Sequence, residues 1–232
     1  MDEYREFENQ RVTRRGSLLR LGGLLAALGG GGVVASQSEG AGPAGVASGA
    51  VSCVLTPELT EGPYYIAGEK VRRNITEGRP GAPLRLRLAV VNASTCKPIK
   101  NAAVDVWHCD ALGAYSGLQN SRDTFMRGIQ RTDAKGVATF DTVYPGWYQG
   151  RTVHIHVKVH IGGRVVHTGQ LFFPDATTDA VYKRSPYTRR GARDVRNAND
   201  SIFVNGGQKS VLKVARNGSG YAGSIVMGVA AR

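Results

Sequence analysis

The sequence predicts an all-β fold, an antiparallel β-sandwich with long loops and few helices. Three observations carry this reading. Apolar and polar residues alternate with period two in several short runs, which is the mark of strands with one buried face. These runs recur about every ten residues and are separated by Gly, Pro and Asp turns, as in sandwiches. The 232 residues include 31 glycines and are 41% hydrophobic, enough for a sizeable core joined by many turns.

The amino terminus reads as an export signal. Thr13-Arg14-Arg15-Gly16-Ser17-Leu18-Leu19 follows a twin-arginine pattern, and a weakly apolar, glycine-rich segment runs from Leu21 to Val34. Val33-Val34-Ala35 offers a small-residue cleavage site. The expected organisation is therefore a signal over residues 1–35, a flexible Gly/Ala/Ser linker over 36–50, and a β-sandwich domain over 51–232. The apolar segment is short and rich in glycine for a membrane span, so no stable insertion is expected once the signal is removed, with a retained anchor as the alternative.

Past the linker, Cys53 to Tyr65 contains Pro57, Gly62 and Pro63, which preclude a long helix. It reads as an extended arm lying across something else. Leu84 to Val91 alternates as a strand with a wet face, and Ala102 to Cys109 is a second strand. Gly113 to Arg127 is an irregular excursion. Two strand-like runs flank a turn at Asp133-Ala134-Lys135-Gly136, between Gly128 and Phe140. Thr152 to Val159 alternates again. A turn at Gly162-Gly163 leads to a strand from Arg164 to Phe173, closed by Pro174. Asp175 to Asn199 reads as a polar surface loop, with edge strands at Ser201–Val204 and Ser224–Val229.

Three cysteines suit an exported protein with one disulfide and one spare thiol. If Asn101 to Cys109 is a strand, Cys96 and Cys109 lie near its opposite ends, on the order of 25 Å apart, which argues against their pairing. Cys53 with either partner stays open.

The chemistry concentrates in Pro145 to Val159. On the strand, His154 and His156 project from one side, roughly 6 to 7 Å apart along the chain, so both can reach one metal ion. Tyr148 follows a Pro-Gly turn and can fold back beside them. His160 shares their face but lies roughly 13 Å beyond His156, outside the same ligand shell. His108 and His167 read as structural histidines. No carboxylate follows the His-x-His pair at cupin-like spacing; tyrosines surround it instead. A hard trivalent cation binds a phenol by displacing its proton, so two histidines and two tyrosinates suit Fe(III). Spacing alone leaves Tyr115 open between a second tyrosinate and an ordinary half-buried tyrosine.

Five ordered blocks add specificity: A-x-V-D-V-W-H-C-D-A-x-G-x-Y (Ala102 to Tyr115), R-G-x-Q-x-T-D-x-x-G (Arg127 to Gly136), T-V-Y-P-G-W-Y (Thr142 to Tyr148), G-R-T-V-H-I-H (Gly150 to His156) and G-Q-L-F-F-P (Gly169 to Pro174). Together they resemble the intradiol ring-cleavage dioxygenases, and more closely the secreted branch than the cytoplasmic catechol or protocatechuate enzymes. The resemblance implies Fe(III) held by Tyr115, Tyr148, His154 and His156. It implies a catechol-type substrate, opened by O2 between its hydroxyl-bearing carbons to a cis,cis-muconate-type diacid. Tyr148 is the ligand expected to leave the metal and take a substrate proton. Arg151 and Gln170 fall on the family's catalytic arginine and glutamine, and Gly62, Pro63 and Tyr64 on its substrate-facing arm. The spacer from Tyr148 to His154 is shorter than in the cytoplasmic enzymes, and the oligomeric state stays open.

The formal charge of +12 draws anionic partners. The Lys and Arg residues are spread out rather than gathered into a stripe with interleaved aromatics, which argues against nucleic acid. Two other classes compete with the dioxygenase: a secreted sandwich that binds phenolic or cell-wall polymers without turnover, and a colourless zinc hydrolase using His154 and His156.

Overall fold

A computed structural model describes residues 53–118 and 121–231; the export signal and the linker read at residues 1–50 lie outside them. The described residues form two four-stranded sheets packed face to face, with two helices, so the all-β sandwich holds. In chain order the elements are β1 (Pro83–Asn92), β2 (Ala103–Trp107), β3 (Arg127–Arg131), β4 (Val137–Val143), β5 (His154–Ile161), β6 (Arg164–Phe172), α1 (Asp175–Tyr182), α2 (Ser201–Val204), β7 (Lys213–Asn217) and β8 (Gly220–Val229). One sheet runs β4-β1-β8-β7 and the other β3-β2-β5-β6.

The alternation explains the core. In β1, Leu84, Leu86 and Leu88 point inward while Arg85 and Arg87 face solvent. From the second sheet Val104, Val106, Ile155, Val157 and Leu171 meet them, all with no exposed surface. Burying each such side chain stabilises the fold by about 1.5 to 3 kcal/mol before the entropy cost is counted.

Four expectations are corrected. β8 is not an edge: it lies between β1 and β7 and pairs with β1 in parallel, so the first sheet is mixed. Alternation dictates which face a side chain takes, not the direction of its neighbour. Ser201–Val204 is a helical turn rather than a strand, because the Asp200 carboxylate accepts from the Phe203 amide and caps it. Asp175–Tyr182 is a helix whose buried Thr178 and Val181 sit three residues apart on one face. Finally, β5 is buried on both faces, not one, through Lys158.

Cys53 bonds to Cys96 across 43 residues, and Cys109 is a buried free thiol that donates to the Gly146 carbonyl. The bridge ties the start of the arm to the turn after β1. Reduction is therefore expected to lower the unfolding free energy by about 2 to 4 kcal/mol, since it frees a long loop in the unfolded chain. Thermal unfolding with and without reductant checks this; coincident transitions would contradict it.

Candidate functional site

The outward face of β5 carries the site. Strand register sets His156 opposite Trp107 of β2 and Gln170 of β6, and His154 opposite Phe172. The Trp107 indole stacks on the His156 ring at 4.9 Å between centroids and 8° between planes. Both imidazoles are buried, at 2% exposure for His154 and 1% for His156. The arm seals them from above: a side chain on Gly62 would start 3.0 Å from His156 Cε1, and Gly62 also has φ +74°. Glycine suits both demands.

The two tyrosines come from two loops pressed together. Gly146 donates its amide to the Asp110 carbonyl at 2.9 Å. A Cβ there would lie 2.5 Å from the Ala111 carbonyl oxygen, and one on Gly113 would lie 2.2 Å from that of Trp147. This backbone contact brings Tyr115 and Tyr148 side by side, their rings edge to face at 5.6 Å.

The polar atoms converge. His154 Nε2 lies 3.0 Å from the Tyr148 hydroxyl and 3.1 Å from His156 Nε2. The Thr152 carbonyl, 2.7 Å from His154 Nδ1, can only accept. It fixes the proton on Nδ1 and leaves Nε2 as a bare lone pair directed at its neighbours. Burial, reinforced by neighbouring positive charge, holds both imidazoles neutral by pushing their pKa values well below the ordinary histidine range. Burial likewise pushes both phenols up, Tyr115 further opposed by the Tyr148 hydroxyl. Among the described residues the Tyr115 hydroxyl and His156 Nδ1 have no hydrogen-bond partner.

Buried polar atoms without partners are uncommon, and a Tyr115 hydroxyl left without one, beside the converging Tyr148 hydroxyl and imidazole Nε2 atoms, fits a metal ion. No group of three or more His, Cys, Asp or Glu able to hold a metal occurs among the described residues. The donor set available here is two neutral imidazoles and two phenols, which suits a hard cation able to displace phenolic protons.

A second layer orients the site. Arg151 donates to Gln170 Oε1 at 2.6 Å and to Asp200 Oδ2 at 2.8 Å, and Gln170 donates to the Thr60 carbonyl at 3.0 Å. The fully buried Asp200 carboxylate also accepts from the Thr152 amide. Beneath Tyr115, Arg127 is fully buried, donating to Ser116 and to the Tyr64 carbonyl. Tyr64 packs its ring 4.5 Å from that of Tyr115 and 6.2 Å from that of Tyr148.

All the residues singled out in the sequence are thus brought together: Tyr115, Tyr148, Arg151, His154, His156 and Gln170, with Gly62, Pro63 and Tyr64 on the covering arm. His160 is not among them, and His108 is hydrogen-bonded to the Cys109 carbonyl and Thr142, as a structural histidine should be. The sequence reading missed Trp107, Arg127 and Asp200. Asp200 had a legible signal, an Asp before a short apolar run, which marks a helix cap.

A family model described as Dioxygenase matches residues 60–181, a span from the arm to α1 that holds every residue of the site except Asp200. Catechol 1,2-dioxygenase 2 of Acinetobacter lwoffii is 37% identical over 149 residues, covering 57% of this chain and 53% of that protein. The chain spans about half the length of the curated relatives it matches. A solved intradiol ring-cleavage dioxygenase from Tetranychus urticae superposes with a TM-score of 0.74 at 37% identity, covering 76% of this chain and 94% of that one. The dioxygenase domain of a dioxygenase and carbohydrate-binding fusion from Streptomyces sp. SirexAA-E superposes with a TM-score of 0.60 at 33% identity, over 75% of this chain and 96% of that one. With two tyrosines and two histidines gathered beneath one arm, and with these likenesses, the chain belongs to the intradiol ring-cleavage dioxygenase family.

Proposed function

We propose that this protein is an exported, non-haem Fe(III) intradiol dioxygenase that opens catechol-type aromatics with O2 to cis,cis-muconate-type diacids. The observation that carries the proposal is the meeting of the Tyr148 hydroxyl with the two imidazole Nε2 atoms, each neighbouring pair within 3.1 Å, beside the Tyr115 phenol. Tyr115, Tyr148, His154 and His156 would hold the iron. When bound, ferric iron draws electron density from a chelated diol and makes its ring carbons reactive toward O2.

The remaining chemistry falls to the chain. Tyr148 and Tyr115 both sit on loops and are half-buried, but the Tyr115 hydroxyl is enclosed above the buried Arg127, and His154 and His156 are locked into β5. Tyr148 is therefore the donor able to swing away and take a proton from an incoming diol. Its raised pKa makes it a strong base for that proton once released. Arg151, held by Asp200 and Gln170, supplies positive charge where anionic character develops on the opening ring, and its fixed position avoids reorganisation during the reaction. The arm, with Gly62 against His156 and Tyr64 against both tyrosines, excludes water and forms one wall of the substrate slot.

Export follows from Arg14-Arg15 in the signal read at residues 1–35, with 36–50 as the linker before the domain at 51–232. The Cys53–Cys96 bond supports this reading, because such bonds persist in oxidising compartments.

The decisive assay is product analysis of iron-loaded protein under O2 with catechol, hydroxyquinol, protocatechuate and larger lignin-derived diols. The expected product is a ring-opened diacid containing both atoms of O2. Recovery of every diol unchanged would favour a binding module without turnover. Tyr148→Phe is expected to keep its iron yet turn over about 100-fold or more slowly, as loss of a positioned base does. His154→Ala is expected to lose iron, and full iron stoichiometry in that variant, by metal analysis, would overturn the ligand assignment.

A further inference from the structure

The outward faces of β2 and β5 form three successive rungs: Trp107 opposite His156, Asp105 opposite Lys158, and Ala103 opposite His160. The first rung belongs to the tyrosine and histidine centre. At the third, beyond Lys158, lies a separate pocket of about 500 Å3 lined by Tyr65, Ala103, Asp105, Ile129, Arg131 and His160, among others. The Tyr65 ring divides the two regions: it packs 4.9 Å from Trp107 and carries the Lys158 ammonium 3.5 Å from its centroid.

We infer that this pocket is a second ligand site, which binds a phenol through the carboxylate of Asp105. Asp105 is 2% exposed. Its Oδ2 accepts from the Tyr65 hydroxyl at 3.1 Å and faces His160 Nε2 at 4.0 Å. Its Oδ1 has no partner among the described residues. A carboxylate oxygen buried without a donor is costly, so a hydroxyl brought by a ligand would stabilise it. A β-bulge between Val159 and His160 re-aims β5 at this rung, as bulges do beside functional sites.

The surroundings select the donor. Burial raises the Asp105 carboxyl to about 6, so near neutrality it is chiefly an ionised acceptor. Glu69 acts on it as a negative charge, Lys158, itself paired with Glu61, and Arg127 act as positive ones, and Arg131 lines the pocket. A neutral hydroxyl can donate to Oδ1 without bringing another charge into this buried rung. Tyr65, Ala103 and Ile129 line the pocket beside Asp105 and give it apolar surface against which an aromatic ring can pack. A phenol offers both the ring and a stronger hydrogen-bond donor than an aliphatic alcohol.

Calorimetric titration of the full-length protein with 4-fluorophenol tests the site, in wild type and in two variants. Ala103→Phe fills the pocket without touching its hydrogen bonds, and Asp105→Ala removes the acceptor. Saturable binding is expected in wild type and is expected to weaken about tenfold or more in each variant. Absence of saturable binding, or equal affinity in all three proteins, would overturn the inference. Binding that shifts the visible absorption of the iron-loaded protein and survives both substitutions would place the phenol at the Tyr148 and His154 centre instead, which also overturns it. Because the pocket uses none of the proposed iron ligands, titration of protein that takes up no iron still decides the question, so failure of the dioxygenase assignment is distinguishable from failure of this one.

Discussion

The site depends on the burial of β5 on both faces. A strand with Val and Ile on its inner face would ordinarily present polar side chains to water on the other. Here the outer face holds two neutral imidazoles, fixed by register between Trp107 and Phe172 and sealed by the arm. Desolvation keeps both uncharged, and the Thr152 carbonyl fixes the tautomer that leaves the His154 lone pair free. A buried lone pair needs a partner. Among the described residues no further histidine, cysteine or carboxylate completes a group of three around them; the loops deliver phenols, which suit a hard cation.

The enclosure around that strand comes from distant parts of the chain. The arm is anchored at its start by the Cys53–Cys96 bond and at Thr60 by Gln170. The segment after α1 supplies Asp200, which holds Arg151 by its side chain and Thr152 by its backbone. One carboxylate thereby positions a cationic side chain and the start of the histidine strand together. Arg127 does similar work below, joining the residue after Tyr115 to the arm at Tyr64. Both of these ions are buried with several hydrogen bonds each, the condition under which buried charge is tolerated.

Much of this was legible in the sequence, for identifiable reasons. Alternation placed Leu84 to Val91 and the histidine strand within two residues of their observed bounds, because period two is imposed by backbone geometry. The four proposed ligands were found because His-x-His on a strand is a local signal and the tyrosines sit in dense motif blocks. What failed was non-local. The parallel pairing of β8 with β1 leaves no mark on side-chain pattern. The polar stretch from Asp175 to Asn199 looked like a surface loop, since its few buried residues, among them Thr178, Val181 and Asn197, are too sparse to stand out. The disulfide partner of Cys53 depended on where the arm crosses the sheets, which only the fold could settle.

The proposed chemistry requires two tyrosinates and two histidines to share one ferric ion. Resonance Raman and visible spectra of the iron-loaded protein test this most directly. Blue-green absorption with tyrosinate vibrations is expected in wild type, with one component lost in Tyr115→Phe and another in Tyr148→Phe. Stoichiometric iron in a colourless protein, or a tyrosinate spectrum unchanged by both substitutions, would contradict it.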